Sequence, residues 1–180
     1  MWIVDRLTGD LTKLELMSAV HVKEINGEHT LNLKIKNKVQ KYDSVIFKNS
    51  IGDRHEFIVQ SFKETREGLD VYLEHVAYEL HASIVRDIRP VDRSVTYILN
   101  QLLTDTRWTA EDSTVGGLFS TNFYYMSVYE ALKKILDICE GELTFNIQVE
   151  DNKVVSRSVA IVPSLGSDKG RIFAYSKDML

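Results

Sequence analysis

Between residues 69 and 80 the chain passes from one hydrophobic period to another without a break. Leu69, Val71 and Leu73 alternate with Asp70 and Tyr72, which is the two-residue period of a half-buried strand. From Val76 the spacing lengthens, so that Val76, Ala77, Leu80 and Ile84 predict one stripe of a short helix. Neither Gly nor Pro separates the two periods, and a β region is therefore tied directly to whatever follows. The sequence before this run reads as β, and most of the predicted helix lies after it.

The β reading rests first on a hairpin. Residues 20–25 and 28–35 are apolar-alternating runs separated only by Asn26-Gly27. That dipeptide supplies the two positive-φ positions of a type I′ turn, so a two-residue hairpin is predicted. Pairing Ile25 with Glu28 would set Val22 opposite Leu31 and Val20 opposite Leu33 on one face. Short strands are also predicted at residues 2–4, turned by Thr8-Gly9-Asp10, at 44–47, and from His55 to Phe62, with a turn across residues 49–53. Six or so antiparallel strands in the first 75 residues fit a meander that closes into a small barrel or sandwich.

Asp87-Ile88-Arg89-Pro90 interrupts this pattern. Beyond it, Asp92 or Ser94 can cap a helix with the apolar stripe Val95, Ile98, Leu99, Leu102 and Leu103. Ser127-Val128-Tyr129-Glu130 is a capping box. It opens a second helix with the stripe Val128, Ala131, Leu132, Ile135, Leu136 and Cys139, and Gly141 is placed as its left-handed terminator. A Tyr/Phe-rich strand at 121–126 precedes this helix, and strands at 142–150 and 154–162 form a second hairpin after it. The fold class expected is α+β, mainly β. An antiparallel, barrel-like region at 1–90 is followed by a small α/β region at 91–165 with two amphipathic helices and a hairpin, and residues 166–180 start a return to the first region.

Composition narrows the function. The 180 residues carry a net charge of -4, spread over both halves, which disfavours a nucleic-acid binder that works by neutralising phosphates. Cys139 is the only cysteine, so an internal disulfide and a cysteine-based zinc site are both excluded. Its place on a helical stripe makes it a buried structural thiol. Charges come too early at the N-terminus for a signal peptide, and no apolar run reaches about 18 residues. Synthesis and folding in a reducing cytoplasm are expected, without membrane anchoring.

Motifs for chemistry are scarce. His75, Glu79 and His81 lie close in sequence, but on a helix His81 points away from the other two, and neither order of the zincin motif is present. A capped strand-to-helix junction is the better reading. No G-x-S-x-G, phosphate loop or dinucleotide fingerprint occurs, and Gly116-Gly117 reads as a turn. Lys34, Lys36, Lys38 and Lys41 read as edge-protecting charges rather than a phosphate patch. Phe123, Tyr124 and Tyr125 could form a sugar- or base-stacking surface, but an ordinary strand facing two layers is the better reading. No catalytic, cofactor-binding or metal-ligating set emerges, and an enzyme is not expected.

Three stretches taken in order do resemble a known family. They are residues 24–31, the strand-to-helix run 71–80, and Gly166-Ser167-Asp168-Lys169-Gly170-Arg171 leading to Tyr175-Ser176-Lys177-Asp178-Met179-Leu180. Their order is similar to the N-terminal region of phage and prophage tail-associated proteins, often described as phage minor structural protein or prophage endopeptidase tail protein. The family's fold is similar to the central hub of contractile-tail baseplates.

The resemblance implies a virion structural protein at the tail tip, assembled in the host cytoplasm. A homotrimeric ring would continue the tail tube below the distal tail protein and around the end of the tape measure protein. It would serve DNA ejection and, indirectly, attachment to the host surface. A ring that passes DNA should not hold phosphates strongly, and the mildly acidic charge agrees with that. The chain stops where the tube region should resume, so it is expected to be part of a longer protein in preference to a short hub. The alternatives are a carbohydrate- or cell-wall-binding module, motivated by the β-rich N-terminal half and the Phe123–Tyr125 cluster, and a peptidoglycan hydrolase or peptidase domain, suggested by family names alone.

Overall fold

A computed structural model describes residues 1–4, 11–49, 52–150 and 153–165. The predicted turn at Thr8-Gly9-Asp10, the centre of the turn at 49–53 and the predicted return from Gly166 lie outside them. Strands β1 (Trp2–Val4), β2 (Leu11–Lys13), β3 (Leu16–Lys23), β4 (His29–Ile35), β5 (Ser44–Lys48), β6 (Arg54–Glu64) and β7 (Leu69–His75) form one sheet. Their order is β2-β1-β5-β6-β7-β4-β3, every pair is antiparallel, and the sheet curls into a half-barrel. This is not the simple meander expected, because β4 pairs with β7 and β1 with β5. Alternation places Leu31, Leu33 and Ile35 of β4, Phe57 and Val59 of β6, and Val71 and Leu73 of β7 in one apolar cluster.

The first hairpin differs from its predicted form by one residue. His21 pairs with Leu31 and Ala19 with Leu33, and Glu24 N–H donates to Glu28 O at 2.7 Å. The loop is therefore the three residues Ile25, Asn26 and Gly27, of which Asn26 takes the left-handed conformation at φ 53°. A type I′ turn would need two such residues. A distant contact sets the register. Asn26 Nδ2 donates to Gly141 O at 2.9 Å, and its Oδ1 accepts from Leu143 N–H at 2.8 Å. Lys133 Nζ also donates to Asn26 O. A slip of one residue turns every side chain of a strand over. Val20 is accordingly 59% exposed, and His21 takes the inner face in its place.

After β7 comes a 3-10 helix, Val76–His81, which buries Val76, Ala77 and Leu80 as its stripe predicts. Ile84 leaves that stripe. It opens strand β8 (Ile84–Ile88) and is 60% exposed, because Ala82 ends the helix with its N–H donated to Glu79 O. Helix α1 (Val95–Leu102) follows, capped by Ser94, whose Oγ accepts from Tyr97 N–H. Strands β9 (Thr109–Ala110) and β10 (Phe123–Ser127) come next, then helix α2 (Val128–Cys139) and the hairpin of β11 (Glu142–Glu150) and β12 (Lys153–Val162). β10 pairs with β8, and β12 lies between β11 and β9.

The capping box on α2 is complete. Glu130 N–H donates to Ser127 Oγ, and Ser127 N–H donates to Glu130 Oε2 at 2.8 Å. The left-handed terminator, however, is Glu140 at φ 52°, not Gly141. Gly141 answers a different need: a Cβ there would stand 2.4 Å from Ile161 Cγ2, so only glycine lets β11 begin this close to β12. The apolar faces of α1 and α2 share a second cluster with Val76, Leu80, Trp108, Val159 and Ile161. Among the described residues, no helix is long and apolar enough to cross a membrane.

Between the clusters lies an ion pair. Arg157 of β12 donates from Nε and Nη2 to the two carboxylate oxygens of Glu56 on β6, at 2.6 and 2.8 Å. The side chains are only 14% and 3% exposed. Ser44 Oγ donates to Glu56 Oε1 at 2.8 Å, which satisfies more of the buried carboxylate.

Candidate functional site

The inner face of the half-barrel is apolar along most of its length and ends in histidine. His29 continues the inward series Leu31, Leu33, Ile35 on β4; His75 continues Val71 and Leu73 on β7; and His55 continues Phe57 and Val59 on β6. His21 reaches the same end from β3 because of the one-residue slip described above. Two of the pairings fix neighbours directly: Phe57 lies opposite His75, and Phe47 opposite His55.

The rings touch one another. His29 and His75 stack with centroids 4.2 Å apart and planes 9° from parallel. His55 meets His29 edge-on at 5.0 Å. His21 Nε2 lies 3.0 Å from His29 Nε2. Phe57 supports the group from within, 5.1 Å from His29 and 5.5 Å from His75, and Phe145 of β11 covers His75 at 5.2 Å. His29, His55 and His75 are buried, while His21 is half-buried. A cavity of about 30 Å³ borders His29 and His75 and is lined also by Lys23, Ala77, Tyr78, Tyr129 and Phe145; that is room for an occupant the size of a water molecule.

Burial sets the electrostatics. It pushes the pKa of His29 down to about 2, helped by the neighbouring His55, His21 and Lys23. It pushes His55 down to about 4, with Lys23 and His21 acting the same way and Asp53 opposing. His75 is driven well below the usual histidine range, by burial first and then by His29 and His55. Desolvation penalises the imidazolium, so the three buried rings are neutral at pH 7. His75 Nδ1 accepts from Ala77 N–H at 3.3 Å, capping the 3-10 helix. His75 Nε2 and both nitrogens of His55 are buried without a hydrogen-bond partner. One ring nitrogen from each of His29, His55 and His75 lies within 4.8 Å of the others, a constellation of nitrogen donors able to hold a transition metal.

The residues singled out in the sequence go elsewhere, apart from His75. Glu79 Oε1 accepts from Arg107 Nε at 2.6 Å and Trp108 Nε1 at 2.7 Å. His81 packs on Tyr129, centroids 4.4 Å apart. Lys34 pairs with Glu67, and Lys36, Lys38 and Lys41 are exposed. Phe123 is fully buried, whereas Tyr124 and Tyr125 are 60% and 68% exposed and meet edge-on at 4.7 Å. Tyr125 has a φ of 43°, which breaks the alternation and puts both rings on the surface. Cys139 is half-buried against the second cluster, and burial raises its pKa.

Sequence reasoning missed His29 and His55. Their signal was available, since both follow the odd-numbered inward series of their strands, but only the pairing of β4 and β6 with β7 brings those series to one end.

No family model matches the chain, and no curated protein sequence does. Its fold is similar to the crystal structure of prophage tail protein gp18 from Listeria monocytogenes EGD-e, with a TM-score of 0.61 at 14% sequence identity. The likeness covers 90% of this chain and 50% of that one. The chain thus spans about half the length of the tail protein it resembles.

Proposed function

We propose that this chain is a structural, non-catalytic component of a phage or prophage tail, and more specifically part of a tail-tip hub ring that continues the tail tube. The observation that carries this reading is the open half-barrel. Among the described residues, β2 and β3 are the outer strands of the sheet, each with one unpaired edge. β3 also exposes Leu16, Met17 and Val20. An exposed apolar edge strand is a hazard in an isolated domain and is normally paired or covered. Edge-to-edge pairing around a three-fold axis would complete a tube wall, with residues 1–90 as the tube-type region and 91–165 as a unit packed against it. The fold likeness to a prophage tail protein supports the same reading. The distal tail protein and the tape measure protein are the proposed neighbours.

The test is the mass of the complete protein by multi-angle light scattering. A trimer is expected; a monodisperse monomer at high protein concentration would overturn the hub.

A second reading rests on Tyr124 and Tyr125, whose exposed perpendicular rings suit stacking on sugar faces. If the chain is a cell-wall-binding module, purified cell walls will retain it and Tyr124→Ala will release it. Absence of retention dismisses this reading.

A further inference from the structure

We propose that His29, His55 and His75 bind one first-row divalent transition-metal ion, with His21 closing the set from the solvent side. The ion would staple strands β4, β6 and β7 at the polar end of the half-barrel. The three buried ligands lie on inner strands of the sheet and only His21 stands on the outer strand β3, so the inference holds whether or not the functional reading above does.

Three observations converge on it. First, His55 is 3% exposed and His75 2% exposed, yet three of their four ring nitrogens have no hydrogen-bond partner. Buried polar atoms are almost always satisfied, and three failures within one cluster call for an occupant. Second, the donors are imidazoles alone, with no carboxylate or thiolate among the three. Imidazole suits zinc, nickel and copper, not magnesium or calcium. Third, the spacing is close to what coordination needs. Metal–nitrogen bonds of 2.0–2.1 Å in a tetrahedral set place the donors about 3.4 Å apart. The nitrogens already lie within 4.8 Å, and binding would turn the stacked rings of His29 and His75 apart and put the ion in place of the hydrogen bond between His21 and His29.

Coordination has one local consequence. Ala77 N–H now donates to His75 Nδ1, which places the ring proton on Nε2. Binding through Nε2 moves that proton to Nδ1, and Ala77 N–H gives up its acceptor. The change is visible at a single amide.

The experiment uses the untagged chain, stripped with a chelator and then titrated with Zn²⁺, with Mg²⁺ as the control. One zinc per chain should survive desalting. With free zinc at about 100 times its Kd, Tm should rise by about 5–10 °C, and Mg²⁺ should leave it unchanged. Co²⁺ should give the visible bands of a four-coordinate site. In ¹⁵N spectra the zinc form should carry the His75 proton on Nδ1, with the Ala77 amide shifted. His55→Gln and His75→Gln should abolish retention, and His81→Gln, outside the cluster, should keep it. If the first two variants do not fold, the zinc stoichiometry, Tm and Ala77 shift of the unmodified chain decide. No retained zinc with an unchanged Tm overturns the proposal. So does zinc retained equally by a folded His55→Gln variant.

Discussion

Helix α2 and the β3–β4 hairpin announce themselves with comparable clarity in the sequence, yet only the helix forms as its own residues dictate. The start of α2 is fixed by Ser127 and Glu130, three residues apart, through two hydrogen bonds to each other's backbone. Its stripe then needs only some apolar partner. The hairpin turn contains Asn-Gly, the strongest local turn signal, but Asn26 spends its side chain on Gly141 and Leu143, 115 and 117 residues away. Helix signals lie within one turn of one another, whereas strand register is a relation between segments, and a tertiary contact can move it by one residue. That residue decides whether Val20 or His21 faces inward.

The contrast can be tested, starting with the contact whose loss should cost most. Arg157→Ala leaves the Glu56 carboxylate buried without its guanidinium, and breaking such a pair costs about 3–5 kcal/mol. Urea unfolding of the variant should show it. A loss near that of an exposed pair, below about 1 kcal/mol, would mean the two clusters are not held together there.

Acid should act on the half-barrel before the helices. The folded-state pKa values of His29, His55 and His75 are lowered, so below about pH 6.5 the unfolded chain binds more protons than the folded one. Stability is therefore complete above that pH and falls as pH drops toward about 4, the folded value of His55. The slope is about 1.4 kcal/mol per pH unit for each ring that must charge. Lys23 adds to the effect and Asp53 opposes it. Melting in chelator-containing buffer from pH 7 to pH 4.5 should show it, and His55→Phe should flatten the curve. A flat profile in the unmodified chain would separate the cluster from stability.

Asn26→Gly keeps a residue at ease with positive φ but removes both side-chain hydrogen bonds. A loss of about 1–2 kcal/mol is expected, together with weaker cross-strand NOEs between His21 and Leu31. If those NOEs keep their full strength, the register does not depend on the Asn26 tether. Ser127→Ala should cost about 1 kcal/mol and fray only the first turn of α2, with hydrogen exchange elsewhere unaltered. Slowed or lost protection in the hairpin would show that the helix start is not a local matter after all.

The type and position of most elements are legible in the sequence: a run of six or so strands before Val76, the strand-to-helix junction, a first helix capped by Asp92 or Ser94, the Ser127 cap, and the β11–β12 hairpin. Each depends on periodicity or on residues three or four apart, which a linear chain displays directly. The tertiary structure alone decided the β4–β7 and β1–β5 pairings, the hairpin register, the role of Gly141 and the meeting of four histidines. Those follow from which strands lie side by side. Residues 21, 29, 55 and 75 share no local spacing, and an inward position at the end of a strand becomes a cluster only when its neighbours in the sheet are chosen.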